Sequence, residues 1–315
     1  MSAAPILVGG EALYDLVANA DGSLRGHPGG GPFNTARTIG RLRQPVAYLG
    51  RLSTDRLGAT HERMLLDAGV DLSATQRTDA PSTLALAGLD DDGAAGYSFY
   101  AAGTAAPGLT PAAALASLPA EVAALHVGTL GLVLEPVAAA LEAVVARLAG
   151  RTMVVVDPNC RPEAIDAPSD YRLRLERVFE MADVVKVSEE DLAWLDASRP
   201  ALEAARALLE YGPRVVLLTQ GPAGSTVVSP RGDAPIAAVA VDAVDTIGAG
   251  DAFSGGFLAW WSSHGLGRGD LLRDELVVEA ARFAAAVAAR TVGVAGASPP
   301  SLPADAPMPL DLRSL

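Results

Sequence analysis

Asp245-Thr246-Ile247-Gly248-Ala249-Gly250-Asp251-Ala252-Phe253 has the composition of an anion-binding turn that runs into a helix with a carboxylate in its first turn. Upstream, Ala237 to Val241 is an apolar, strand-like run; downstream, Phe253, Phe257, Leu258, Trp260 and Trp261 supply the apolar positions of a buried helix. The glycines are therefore expected between a strand and a helix. Lacking a Cβ, Gly248 and Gly250 can take positive φ and approach a ligand, while the free N–H groups of the following helix face whatever negative charge lies before them. A phosphate fits that description. An acidic residue there repels a phosphate in the ground state, so Asp251 is costly unless it accepts a proton from an attacking hydroxyl. The alternative is that Asp251 caps the helix, and this segment alone leaves both readings open.

The length of 315 residues, half of them hydrophobic, suits one large α/β domain or one domain with an appendage. A formal charge of -13 argues against nucleic acid or an anionic membrane as partner, because both reward clustered Lys and Arg. Lys186 is the only lysine, and a single cysteine, Cys160, excludes an intrachain disulfide and a cysteine-based zinc site. His27, His61, His126 and His264 lack metal-ligand spacing and read as structural or exposed. No basic segment followed by an apolar run opens the sequence, and no apolar stretch approaches the ~20 residues of a membrane span, so a cytoplasmic location is the default expectation.

Short apolar runs recur with helical segments between them: Ile6 to Val8, Val46 to Leu49, Leu125 to Val127, Met153 to Val156, Val184 to Val187 and Val215 to Leu218. A parallel sheet buried on both faces requires such runs, so a doubly wound, mostly parallel α/β core is expected. Ser82 to Leu89 and Tyr97 to Ala102, joined by Asp90-Asp91-Asp92-Gly93, break the rhythm and predict a hairpin in a small antiparallel β lid. The prolines from Ser298 to Leu315 predict an irregular end. Three runs stop at polar or glycine-rich segments: Asp157-Pro158-Asn159-Cys160-Arg161, Ser188-Glu189-Glu190-Asp191, and Thr219-Gln220-Gly221-Pro222-Ala223-Gly224. Ligands of open α/β sheets bind beyond the carboxyl ends of the strands, so these loops point at one shared crevice. Each alone is also what an ordinary capped strand-to-helix turn looks like.

Two common nucleotide motifs are absent. A Walker-type loop needs Gly-Lys before Ser or Thr, but Lys186 lies between Val185 and Val187; the dinucleotide fingerprint needs a third glycine where Phe253 stands. A nicotinamide oxidoreductase is therefore disfavoured, and a kinase holding phosphates by another device is the better reading.

The run DTIGAGDAF resembles the signature of the PfkB, or ribokinase-like, carbohydrate kinases. Gly10-Glu11-Ala12-Leu13-Tyr14-Asp15 resembles that family's opening strand, and Gly29-Gly30-Gly31-Pro32-Phe33-Asn34-Thr35-Ala36 its sugar-binding segment. DPNCR, KVSEEDL and TQGPAG follow in the family's order, and the GEALYD, HPGGGPFN and YSFY pieces look most like its fructokinase branch. The resemblance covers nearly the whole chain. It implies a single ribokinase-like kinase domain over residues 1–315, with a lid formed by about 11–18 and 82–103.

By resemblance, Asp251 is the base that takes the proton of a sugar hydroxyl, and the amides of Gly248, Ala249 and Gly250 form the anion hole for the transferred phosphoryl group. Asp15, Gly30, Gly31 and Asn34 hold the sugar, with Arg161 and the lid aromatics Phe99 and Tyr100 bordering the pocket. Lys186, Ser188, Thr219, Gly221 and Gly224 lie along ATP. Asp191, in place of the commoner Glu, organises Mg²⁺ through water, consistent with that ion's habit of keeping several waters. A monovalent cation such as K⁺ is implied beside Asp245, Ile247 and the turn from Gly293 to Ser298. An aspartate's ordinary pKa of about 3.9 is too low to deprotonate an alcohol beforehand, so Asp251 is expected to act late, in a loose transition state. The expected reaction is ATP-dependent phosphorylation of fructose or a related ketose. The alternatives are a ribokinase, a 2-keto-3-deoxygluconate kinase or a nucleoside kinase of the same family, and a non-catalytic sugar-binding regulator. An exposed apolar lid face is expected to favour a homodimer.

Overall fold

The computed structural model describes residues 4–18, 23–89, 95–294 and 296–303. Strand β1 (Ile6–Gly9) is followed by β2 (Leu13–Ala18), β3 (Leu24–Gly29) and helix α1 (Gly31–Arg41). Then come β4 (Val46–Leu49), β5 (Arg51–Ser53), α2 (Arg56–Asp67), β6 (Gln76–Thr78), β7 (Thr83–Leu89), β8 (Ala95–Tyr100) and α3 (Pro111–Ala116). A regular alternation follows through β9 (Ala124–Gly128), α4 (Val137–Leu148), β10 (Met153–Asp157), α5 (Pro168–Met181), β11 (Val184–Ser188), α6 (Glu189–Leu195), α7 (Ala201–Leu208) and β12 (Val215–Thr219). The chain continues with β13 (Ser225–Ser229), β14 (Gly232–Ile236), α8 (Ala249–Ser263) and α9 (Asp274–Val292).

The main sheet has eight strands in the order β14-β13-β12-β11-β10-β9-β1-β4. The strands from β12 to β4 are parallel, and β13 and β14 complete one edge antiparallel. All six apolar runs read from the sequence are strands of this sheet. Alternate residues feed two cores: Ile6, Val8, Val155 and Val215 pack against α1, α8 and α9, while Leu7, Val154, Val156 and Val216 pack against α4, α5 and α7. The expected doubly wound, mostly parallel α/β core is thus present. Among the described residues no helix is long and apolar enough to cross a membrane.

A second, four-stranded sheet has the order β3-β2-β7-β8. The expected hairpin is present, β7 pairing antiparallel with β8, and the sheet has two further features. The β2–β7 pair is parallel, and β3 is an added strand, Leu24-Arg25-Gly26-His27-Pro28-Gly29, that lacks the β-branched and aromatic residues by which strands are read. It pairs because β2 offers it an edge. The Asp90-Asp91-Asp92-Gly93 turn lies outside the described residues, as does most of the proline-rich tail.

Ala237 to Val241, expected as a strand, is irregular and exposed. The main sheet ends at β14 and the segment adds no strand to it; Val239, Val241 and Val244 are 42–62% exposed. The glycine turn therefore follows a surface segment rather than a buried strand.

One buried carboxylate ties together the amino ends of β10 and β11. Asp183 accepts hydrogen bonds from the Val154 amide (3.1 Å) and Arg268 Nε (2.6 Å), and Arg214 Nε stands 3.5 Å away. Both arginines are partly exposed, which weakens their share through solvent screening. Asp183→Ala orphans a buried amide and is expected to cost about 2–3 kcal/mol. A lower urea midpoint at constant m-value reads this directly; an unchanged midpoint overturns the assignment.

Candidate active site

Helix α8 begins at Gly248, whose φ of 77° lies in the left-handed region and turns the chain so that the amides of the first helical turn face outward from the helix end. Among the described residues no side chain caps this terminus. Asp251 is not a cap: it sits in the first turn, 9% exposed, and its Oδ2 accepts a hydrogen bond from Asn34 Nδ2 at 2.9 Å. The Thr35 hydroxyl donates to the Asp251 carbonyl at 3.3 Å. Helix α8 is anchored by Phe257, Leu258 and Trp261, each essentially fully buried and worth about 1.5–3 kcal/mol. Close approach to its neighbours depends on Gly255 and Gly256, where a Cβ would meet Thr38 Cβ at 2.6 Å and Ala284 Cα at 3.0 Å.

The N-terminus of α1 meets that of α8. Gly30 starts α1 with φ 108°, and a Cβ there would strike the Glu11 carbonyl at 2.6 Å. A Cβ on Gly31 would lie 3.2 Å from Asp251 Oδ1, so bare backbone lines the space before the carboxylate. Glu11, which sequence reasoning missed, fastens this corner. Its carboxylate accepts from the Gly31 amide (3.2 Å), the Gly131 amide (2.9 Å) and the Thr129 hydroxyl. Burial pushes it up to about 7, against the lowering effect of those hydrogen bonds. A charged residue inside an otherwise apolar Gly-Gly-x-Ala-Leu start was the available signal.

Asp15, on β2, stands directly opposite His27 of β3, and a Cβ on Gly29 would clash with its Oδ2 at 2.0 Å. Burial raises Asp15 to about 6, while the positive charge of Arg161 and that of His27 when protonated favour its ionised form. Phe99 pairs in register with Ala85, and Ala85 with Asp15, so the three share a face. Tyr97, two residues along, shares it too and stacks on Phe99 with ring centroids 6.0 Å apart. Tyr100 falls on the opposite face by strand alternation and is 56% exposed. The expected pair Phe99 and Tyr100 is therefore corrected to Phe99 and Tyr97, as the alternation in Tyr97-Ser98-Phe99-Tyr100 already implied.

Burial pushes the Asp251 carboxyl up to about 7, and nearby Asp157 adds to the rise; Asn34, Lys186 and Arg161 oppose it. The low pKa assumed for a free aspartate does not hold here, because the helix end and α1 exclude water. A group poised near neutrality is a better proton acceptor at physiological pH.

The three polar strand ends are brought together. Cys160 N donates to Asp191 Oδ1 (2.6 Å) and Gln220 Nε2 to Glu189 Oε1 (2.9 Å). Lys186 is buried and donates to Asp157 Oδ2 at 2.9 Å, and its ammonium would lie 2.9 Å from a Cβ on Gly250. Ser188 caps α6 through the Asp191 amide, and Asp191 Oδ2 accepts from the Ser188 amide and hydroxyl in return. Thr219 donates to the Val187 carbonyl at 3.3 Å; Gly221 and Gly224 take φ of 51° and 101°. Asp245 links the glycine turn to the segment near Ser298, its Oδ1 accepting from the Ile247 amide and its Oδ2 from the Gly296 amide, both at 2.9 Å.

Among the described residues no group of three or more His, Cys, Asp or Glu side chains could cage a metal. Three of the acceptor positions of Asp191 are taken by structural hydrogen bonds. This donor set suits a hydrated ion carried largely by phosphates, the usual condition of Mg²⁺ beside a nucleotide.

The chain matches the pfkB family carbohydrate kinase profile over residues 4–305. It is 34% identical over 258 residues to fructokinase of Rhizobium leguminosarum bv. trifolii, spanning 81% of this chain and 78% of that protein. Fructokinase from Vibrio cholerae O395, a double mutant with fructose, ADP and potassium ion bound, has a TM-score of 0.82 at 27% identity over 94% of both chains. Aminoimidazole riboside kinase from Salmonella enterica, complexed with aminoimidazole riboside and an ATP analog, has a TM-score of 0.80 at 26% identity, covering 93% and 95%. A profile that spans nearly the whole length, on a fold that closes two helix termini around a buried aspartate, places this chain in the pfkB family of carbohydrate kinases, as an ATP-dependent sugar kinase.

Proposed function

We propose that this enzyme transfers the γ-phosphoryl group of ATP to a hydroxyl of fructose or a related ketose, in the cytoplasm, with the whole chain acting as one kinase domain. The observation that carries the reading is the Asp251 carboxylate, buried beside Asn34 at the bare-backbone start of α8. A sugar hydroxyl held by Asp15, Gly30, Gly31 and Asn34, with Arg161, Phe99 and Tyr97 at its border, places its proton within reach of Asp251. The second sheet acts as the lid. The amides of Gly248, Ala249 and Gly250 receive the migrating phosphoryl group, and Thr219, Gly221, Gly224 and Ser188 border the nucleotide. Asp191 would hold a hydrated Mg²⁺ through water, and that ion would supply charge neutralisation at the phosphates. Positioning and charge stabilisation carry most of the acceleration, with proton transfer adding about 10²- to 10⁴-fold. A non-catalytic regulator has no use for a carboxylate at an anion-binding turn, where it opposes anion binding. An ADP-release screen across ketoses, aldoses, sugar acids and nucleosides tests the substrate: turnover confined to nucleosides overturns fructose and leaves the fold reading in place.

Asp251→Asn is expected to lower kcat by about 10²- to 10⁴-fold while leaving ATP binding nearly intact. Because the folded-state pKa of Asp251 is about 7, the wild-type kcat/KM for the sugar falls as pH drops through that value and the carboxylate takes up a proton. An acid limb near pH 4, or a variant close to full activity, removes Asp251 from the role of base.

We propose a monovalent cation beside the glycine turn, where main-chain carbonyls of Asp245, Ile247 and the turn ending at Ser298 would hold it; the Asp245–Gly296 hydrogen bond, which draws these segments together, supports the reading. Potassium is expected to raise kcat several-fold over a monovalent-free control; equal rates discard the site.

The outer face of the second sheet carries Leu16, Leu24, Leu84, Leu86 and Tyr100, with Leu24 58% exposed. Two copies pairing through these faces would cover it. Sedimentation is expected to give a dimer that Leu24→Asp with Tyr100→Glu splits; a monomeric wild-type protein ends the idea.

A further inference from the structure

Among the chain's 24 basic residues only one, Lys186, is a lysine. Lys186 lies on β11 with its side chain 5% exposed, and its partner Asp157, on β10, is 2% exposed. The ammonium has three donors, and one goes to Asp157 Oδ2 at 2.9 Å. The same Oδ2 faces the Ser254 hydroxyl of α8 at 3.5 Å. On its other side the ammonium abuts Gly250, where a Cβ would stand 2.9 Å away. A compact point charge fits between carboxylate and backbone, whereas a planar guanidinium would need the space that Gly250 takes. Burying an ion pair brings little net stability, since desolvation offsets the attraction. Its position therefore calls for a reason other than stability.

We propose that Lys186 is a positioning residue of the phosphoryl site: fixed by Asp157, its ammonium supports the Gly250 end of the glycine turn and meets the entering phosphoryl group with positive charge from beneath. This replaces the expectation that it lies along the nucleotide, and it rests on the kinase reading above. Charged and titratable groups facing it come from each surrounding element: Asp157 on β10, Asp191 on α6, Asp251 on α8 and His126 on β9. Its charge offsets part of the cluster of carboxylates that would otherwise repel phosphate. Burial opposes its protonation, but those carboxylates outweigh burial and hold it charged. Removing one donor from a preorganised anion site typically lowers kcat by roughly 10²- to 10³-fold, and a comparable loss is expected here.

Removing Lys186 alone leaves Asp157 as an unpaired buried charge, so folding itself is at risk. The informative variant is the neutral pair Asp157→Asn with Lys186→Gln, which keeps a hydrogen bond and removes both charges. The expected result is kcat down about 10²-fold, with KM for ATP within about threefold of wild type. Activity restored to within about threefold shows a merely structural tie, and a raised KM for ATP with preserved kcat shows a nucleotide contact; either overturns the proposal.

The unmutated enzyme gives an independent reading, because ¹³C-lysine labelling yields a single lysine spin system. ADP with Mg²⁺ alone is expected to leave the ε-methylene resonance in place, and fluoroaluminate added with ADP, Mg²⁺ and fructose is expected to move it. Binding of each mixture is checked on the same sample by calorimetry. An equal shift with ADP alone, or no shift once the fluoroaluminate complex has bound, overturns the proposal. If no sugar releases ADP from the wild-type enzyme, the kinase reading fails separately, and inorganic phosphate becomes the probe of the turn: a shift on its binding supports the anion role of Lys186, and none denies it.

Discussion

The hydrogen bond from Asn34 to Asp251 joins residues 217 positions apart and holds two helix N-termini against one small space. Much of the site depends on that convergence. Helix α8 presents a terminus without a side-chain cap among the described residues, α1 has its Gly31 amide held by Glu11, and each adds the positive end of a helix dipole. An anion approaching there is attracted by both, and a carboxylate placed between them is shielded from water by both. The contact in turn requires α1 and α8 to pack closely, which glycine at 255 and threonine at 38 allow.

Burial is what converts ordinary carboxylates into the chemistry of this site. Glu11, Asp15 and Asp251 all have raised pKa values with burial as the leading cause, yet each is surrounded differently. Glu11 spends its acceptors on backbone amides and a threonine hydroxyl, so it acts as a fastener. Asp15 keeps a partly open position near Arg161, suited to gripping a hydroxyl. Asp251 has, among the described residues, one side-chain donor, Asn34, and faces bare backbone at Gly31. Three acids would repel a phosphate were they not opposed by Arg161, by the buried Lys186 and by the two helix ends.

The polar strand ends gain meaning by being tied to each other. Cys160 to Asp191 and Gln220 to Glu189 are links across neighbouring loops of adjacent parallel strands. They make the crevice rim a single piece, against which a nucleotide can be held without each loop being ordered separately on binding.

The sequence by itself determined the parallel core, because a strand buried on both faces must be a near-continuous apolar run, and each such run became a strand of the main sheet. It also located the glycine turn, since the left-handed φ of Gly248 favours glycine, whereas Gly250 is helical. Tyr97 was legible from strand alternation. Other features were decided only by tertiary structure. Leu24 to Gly29 is a strand because β2 supplies its partner, and Ala237 to Val241, exposed to solvent, pairs with no described strand. Glu11, Asp157 and Lys186 acquire their roles from contacts with residues remote in sequence. The raised pKa of Asp251 belongs to the same class: desolvation depends on what packs around a carboxylate, and no local run of residues specifies that.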